Sequence, residues 1–213
     1  MLLSAYEQGI FPWYSEGEPI LWHSPDPRFV IDRKDFRVPK SVKKVLNRGE
    51  FAVTFDRAFD RVIRACKEVE RAGQSGTWIT DEMEEAYVEL HRLGYAHSAE
   101  VWLRDSSRSN GNDGNEDVLV GGLYGVSLGR VYFGESMFSA RSNASKVGFV
   151  TLARRLFDEE LAFEIIDSQV YTEHVERFGA EEIPRERYLG RLEKALRKPT
   201  LRGSWSRYEV SPQ

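Results

Sequence analysis

One cysteine, Cys66, among 213 residues leaves nothing for an internal disulfide and makes a structural zinc site improbable. Such a chain fits a reducing cytoplasm, where it is expected to work. Histidine is also scarce, and His23, His91, His97 and His174 show no tight metal-ligand spacing, so no metal is expected. No apolar run approaches the roughly 20 residues that cross a bilayer, so no membrane association is expected. The start, from Met1 to Gln8, lacks a basic region and turns polar too early for a signal peptide. Positive charge is not in excess either. A net charge of -4 excludes a wholesale electrostatic grip on nucleic acid and leaves only local contacts. What is present, 41% hydrophobic and 30% charged residues, reads as a soluble globular chain of one main domain with room for a small appendage.

Periodicity and turn residues predict a short helix near residues 2–8 and an extended, proline-punctuated stretch over 20–28. A basic segment follows over 33–48, then a strand over 51–55. A helix over 58–69 carries Phe59, Val62, Ile63 and Cys66 on one stripe. Another opens with Asp81 and Glu82 at its positive end and closes at Gly94. Strands are expected over 98–103, 118–126 and 130–138. The Ser/Asn/Gly/Asp-rich residues 105–117 read as a solvated hairpin loop between the first two. A helix over 144–160, a strand over 165–170 and a helix over 184–196 complete the chain. No repeat or long linker interrupts it. The order predicts an α+β or mixed α/β sheet with helices packed on it.

Two of the apolar runs hold polar residues. The first reads Val131-Tyr132-Phe133-Gly134-Glu135-Ser136-Met137-Phe138-Ser139, and the second Ala162-Phe163-Glu164-Ile165-Ile166-Asp167-Ser168-Gln169-Val170. Strand side chains alternate with period two, so Glu135 should share a face with Met137, and Asp167 with Gln169. Burying a carboxylate is costly unless it is paired or hydrogen-bonded. These residues therefore form either a satisfied structural network or a functional site, and two such strands favour the site.

Seven strings in order resemble the leucyl/phenylalanyl-tRNA–protein transferase family. They are Gly9-Ile10-Phe11-Pro12-Trp13, Trp22-His23-Ser24-Pro25-Asp26-Pro27-Arg28, Gly76-Thr77-Trp78-Ile79-Thr80, Gly134-Glu135-Ser136-Met137-Phe138-Ser139, Asn143-Ala144-Ser145-Lys146, Ile166-Asp167-Ser168-Gln169-Val170 and Glu182-Ile183-Pro184-Arg185. The resemblance covers nearly the whole chain. It implies a bacterial cytoplasmic enzyme that moves Leu or Phe from aminoacyl-tRNA to proteins beginning with Arg or Lys, marking them for degradation under the N-end rule. It further implies a GNAT-like acyltransferase sheet over residues 35–213, preceded by an N-terminal domain over 1–34. Family members carry some tens of residues, including a glycine-rich stretch, before the first string, so the N-terminal domain is expected to be reduced here. Residues 105–117 are expected to be an insertion.

The resemblance also implies roles. Gln169 orients or activates the acceptor's α-amine, Asp167 polarises Gln169, and Glu135 reads the acceptor's terminal Arg or Lys. Trp13 and Trp78 flank the 3′-adenosine, since base–aromatic stacking contributes about 1–3 kcal/mol per base. Leu123 and Met137 form the donor side-chain pocket, with Ile166, Phe149 and Leu152 as further members. Leu123 stands where a Met often lies, so donor preference is expected to differ. Basic residues over 33–48 and 185–207 are the natural tRNA contacts. The ester on tRNA is already activated, so no cofactor is expected, and the enzyme is expected to be a monomer. Two alternatives stay open: a non-catalytic tRNA- or peptide-binding relic, and a coenzyme A-dependent N-acetyltransferase. Against the second, the turn over 138–146 has no glycine to cradle a pyrophosphate.

Overall fold

A computed structural model describes residues 1–69, 77–103 and 118–209. The expected loop over 105–117 and Gly76 lie outside them. Helix α1 (Leu2–Glu7) leads to a small antiparallel pair, β1 (Phe11–Pro12) and β2 (Trp22–His23). There follow β3 (Arg28–Asp32), α2 (Lys40–Asn47), β4 (Phe51–Phe55), α3 (Phe59–Glu68), α4 (Asp81–Arg92), β5 (Ala96–Leu103), β6 (Val118–Leu128) and β7 (Val131–Ser139). The chain ends with α5 (Ala144–Leu156), β8 (Ile165–Asp167), α6 (Glu173–Glu176), β9 (Glu181–Ile183), α7 (Arg185–Leu196) and a 3-10 turn at Trp205–Tyr208.

Seven strands form one mixed sheet in the order β4-β5-β6-β7-β8-β3-β9. All neighbours are antiparallel except β7 and β8, which α5 joins as a parallel crossover. Alternation along the strands divides the core in two. Val30, Val131, Phe133 and Ile165 meet α1, α3, α4 and α7 on one face. Phe29, Ile31, Tyr132 and Ile166 meet α2, α5, α6 and Trp205 on the other. A sheet covered on both faces needs apolar residues on both, and all five residues of β3 are buried.

Local chemistry accounts for the helices. The expected stripe on α3, Phe59, Val62, Ile63 and Cys66, is buried. Thr80 caps α4 by accepting the Met83 N–H at 3.2 Å, and acidic residues fill its first turn. Pro184 stands just before α7, where its missing N–H costs nothing.

Four expectations need correction. The stretch over 20–28 was expected to be irregular, yet it contains β2, and β3 begins at its end. Charged residues at both ends of Arg28-Phe29-Val30-Ile31-Asp32 mask a core strand, because both charges find partners. The expected helix over 144–160 stops at Leu156, and the expected strand over 165–170 stops at Asp167. Finally, Glu135 and Met137 do not share a face. Gly125 pairs with Gly134 and Tyr124 with Ser136, leaving Glu135 as the extra residue of a bulge. The bulge shifts the alternation, so Met137 sits opposite Leu123 and joins the second face.

Helix α5 approaches the sheet closely at Gly148, where an added Cβ would lie 2.7 Å from Val101 Cγ2 and 3.1 Å from Leu123 Cδ2. Gly148→Val should therefore destabilise by about 1–3 kcal/mol through overpacking, read as a fall in Tm of about 2–4 °C per kcal/mol for a chain this size. An unchanged or raised Tm would contradict this packing.

Candidate active site

The parallel pair is short. Val131, Tyr132 and Phe133 align with Ile165, Ile166 and Asp167, and there β8 ends while β7 runs on to Ser139 along β6. The space left between them is a cavity of about 530 Å³. Its apolar wall includes Leu123, Met137, Phe149 and Ile166, and Trp13 and Trp78 also line it. Trp13 is 39% exposed, while Trp78 is half-buried. Leu152 lies elsewhere in the second-face core and contributes no wall.

Glu135 and Gln169 bring polarity to this apolar space. Tyr6 Oη donates to Glu135 Oε1 at 2.7 Å, Tyr87 Oη donates to Oε2 at 2.9 Å, and Gln169 Nε2 donates to Oε1 at 3.0 Å. The two tyrosine hydroxyls are also 2.6 Å apart. Each hydroxyl has one proton, so two protons serve three contacts among these oxygens while Glu135 is ionised. One proton added to Glu135 would complete the ring. Burial pushes the Glu135 carboxyl up to about 7, against the lowering effect of the Tyr6 and Tyr87 hydrogen bonds. Burial first, and then the Glu135 charge, hold both tyrosines well above their ordinary range, so they remain donors.

Asp167 lies behind this cluster and not on the cavity wall, at 0% exposure. Arg28 Nε donates to its Oδ1 at 2.9 Å and Arg28 Nη2 to its Oδ2 at 2.7 Å. Tyr188 Oη donates to Oδ2 at 2.6 Å, and the Gln169 main-chain N–H to Oδ1 at 2.9 Å. Burial opposes the Arg28 charge, but Asp167 beside it more than compensates and holds the guanidinium above its ordinary range. Gln169 itself stands past the end of β8 at φ 65°.

The structure thus brings Trp13, Trp78, Leu123, Glu135, Met137, Phe149, Ile166 and Gln169 to one cavity, and sets Asp167 directly behind it. Sequence reasoning gave no role to Arg28, Tyr6, Tyr87 or Tyr188. The tyrosines lie on apolar helix faces, where only the hydroxyl separates them from core phenylalanines. Arg28 had one signal, a cation directly abutting an apolar run. His174, left without a chemical role, also lines the cavity; burial, then Arg177 and Lys146, lower it from its ordinary range. Away from this cavity, the two basic segments meet in a hollow lined by Arg33, Lys34, Arg130, Arg191 and Lys198, with Asp32 and Glu164 among them.

Comparison with known proteins gives a consistent result. A family model described as leucyl/phenylalanyl-tRNA protein transferase matches residues 30–193, and one for the N-terminal domain of the same proteins matches residues 1–26. A protein of Myxococcus xanthus named leucyl/phenylalanyl-tRNA–protein transferase is 54% identical over 96% of this chain and 82% of its own length. Proteins of that name from Anaeromyxobacter dehalogenans (strain 2CP-C) and Syntrophus aciditrophicus are 53% and 54% identical, over 99% and 96% of this chain and 84% and 80% of theirs. A solved structure described as L-PGS from Bacillus licheniformis aligns at a TM-score of 0.43 with 12% identity, over 71% of this chain and 48% of that one. That likeness is too weak to carry an argument.

The hydrogen-bond ring makes the Glu135 titration measurable. In a carboxyl-labelled NMR titration, the signal lost in Glu135→Gln should move near pH 7 in the unmodified protein. Removing a donor that favours the ionised form should raise it further in Tyr87→Phe. A midpoint in the ordinary range near 4.3 would contradict the burial argument.

Proposed function

This chain belongs to the leucyl/phenylalanyl-tRNA–protein transferase family, and from that premise we propose that the cavity beyond the β7–β8 pair holds both substrates of the transfer. The protein is an aminoacyltransferase. The finer reading is that Leu or Phe passes from its tRNA to the α-amine of a protein beginning with Arg or Lys. The observation that carries it is the hydrogen-bonded Glu135–Gln169 pair set into a mostly apolar cavity.

The reaction is aminolysis of an ester. The α-amine nitrogen attacks the ester carbonyl, the C–N bond forms, and the C–O bond to the ribose of the terminal adenosine breaks. The amine gives up a proton and the ribose oxygen gains one. The ester supplies the driving force, so this chemistry requires no ATP or cofactor, and the protein's part is to hold the two reactants together. Leu123, Met137, Phe149 and Ile166 receive the donor side chain, with Leu152 supporting them from the core. Fully burying a side chain of this kind contributes about 1.5–3 kcal/mol. Trp13 and Trp78 hold the adenosine by stacking. Glu135 takes the acceptor's guanidinium or ammonium, and the Gln169 amide orients the amine beside it. A neutral amide is a weak base, so Gln169 works by hydrogen-bond positioning. Asp167 acts through Gln169.

The sheet is read as acetyltransferase-like, which the parting of a central parallel pair supports. None of the helices among the described residues is long and apolar enough to cross a membrane. The working form is read as a cytoplasmic monomer, with basic groups such as Arg33, Lys34 and Lys198 meeting tRNA phosphates.

Incubation with Leu-tRNA or Phe-tRNA and peptides beginning with Arg, Lys or Ala tests the assignment. Transfer is expected to the Arg and Lys peptides only, and equal transfer to the Ala peptide would overturn it. Hydrogen bonds to charged groups contribute about 1.5–3 kcal/mol. Glu135→Gln should therefore raise the half-saturating Arg-peptide concentration by about 10- to 100-fold while donor binding stays near that of the unmodified enzyme.

A further inference from the structure

We propose that Arg28 is a positioning residue for the transfer: with Tyr188 it holds Asp167 as a clamp on the main chain of the Gln169 turn, and Asp167 takes no proton from the acceptor. This rests on the reading that Gln169 and Glu135 receive the acceptor.

An ionised carboxylate offers about four lone-pair sites. At Asp167 the two Arg28 nitrogens, the Tyr188 hydroxyl and the Gln169 N–H fill them. With 0% exposure and no place on the cavity wall, Asp167 has neither a free lone pair nor a path to the α-amine. Its hydrogen bond to Gln169 runs to the backbone, and the side-chain amide turns the other way, toward Glu135.

The turn needs such a clamp. Val170 N–H donates to Ser168 C=O at 2.7 Å, closing a three-residue turn with Gln169 at φ 65°. The positive-φ form of this turn is rare and strained, and it persists only where the surroundings fix it. Here Asp167 holds the Gln169 N–H on one side, and on the other Phe29 N–H donates to Gln169 C=O at 3.2 Å. Ser168 N–H to Phe29 C=O at 3.0 Å completes the hold. With the main chain fixed, the side chain sets out from one place, and its amide reaches Glu135 at 3.0 Å.

Arg28 pairs with the clamp and orients it. Its guanidinium lies 4.9 Å from the Phe11 ring centre and 4.6 Å from that of Tyr188, and Nη1 donates to Gly9 C=O at 3.1 Å. One fork thereby ties the loop that leads to Trp13, the Gln169 turn and α7. A lysine would bring the charge without the fork.

The test uses the full chain with Leu-tRNA and an Arg peptide, with kcat, half-saturating concentrations and Tm measured on each variant. Arg28→Met strands a buried carboxylate and should lower kcat at least 100-fold. Adding Asp167→Asn removes that charge and still leaves an amide oxygen to accept the Gln169 N–H. The double variant should recover at least tenfold over Arg28→Met, with the pH profile of the unmodified enzyme. If Asp167 carried the proton, no variant lacking the carboxylate could recover, so a double variant that melts normally without recovery overturns the proposal. Should the double variant fail to fold, Arg28→Lys decides. A tenfold or greater loss of kcat at unchanged half-saturating concentrations supports positioning, and a lowered Tm with kcat within twofold of the unmodified enzyme overturns it. An unmodified enzyme that transfers to no peptide would refute the proposed function instead.

Discussion

Arg28 and Asp167 bury a full positive and a full negative charge at 1% and 0% exposure. Taking two charges out of water costs several kcal/mol per ion, and their attraction repays this only when the remaining lone pairs and protons are also satisfied. The geometry meets that condition through Tyr188, the Gln169 N–H, Gly9 C=O and two aromatic faces. Each partner is therefore indispensable to the other, and losing one costs about 3–5 kcal/mol, a large share of the 5–15 kcal/mol that typically separates folded from unfolded chains. Gly9 shows how tightly the surroundings close on the pair. At φ 72°, an added Cβ there would lie 2.7 Å from Leu189 Cδ2 and 2.9 Å from Tyr188 Cε1.

From this anchor the cavity follows by two departures from regular sheet. The parallel pair stops at Phe133 and Asp167, so the walls part, and the bulge at Glu135 sends Glu135 and Met137 to opposite faces. One strand thereby supplies a carboxylate to the tyrosine-lined side and an apolar wall to the other. The raised Glu135 carboxyl has a consequence for binding. Near neutral pH the empty site need not hold a bare buried charge, because a proton can complete the ring with Tyr6 and Tyr87. A cation entering the cavity favours the ionised form and displaces that proton. The desolvation cost is then met largely when the ligand that needs the charge arrives.

Much of this was legible in the sequence because it rests on local patterns. The α3 stripe, the acidic start of α4 and the central strands are written in spacing of 3.6 and 2, in charge placement and in turn residues. The polar residues in β7 and β8 stood out because burying them needs a reason. What stayed hidden depends on contacts distant in sequence. β3 went unassigned because Pro27 precedes it and Arg28 and Asp32 bound it, and the carboxylate and guanidinium that pair with those charges, on Asp167 and Arg191, both lie more than a hundred residues away. Tyr6 and Tyr87 resemble any core aromatic until the fold sets Glu135 against both. The bulge itself has no signature in an alternating run, and strict period two therefore put Met137 on the wrong face.

We propose that Glu135 selects the acceptor by its charge. Competition between a peptide beginning with Arg and the same peptide beginning with citrulline, its neutral near-isostere, tests this directly when run on the unmodified enzyme and on Glu135→Gln. The unmodified enzyme should prefer the Arg peptide by about tenfold or more, equivalent to about 1.4 kcal/mol or more, and the preference should collapse to near unity in Glu135→Gln. An Arg preference that survives the substitution undiminished would contradict it.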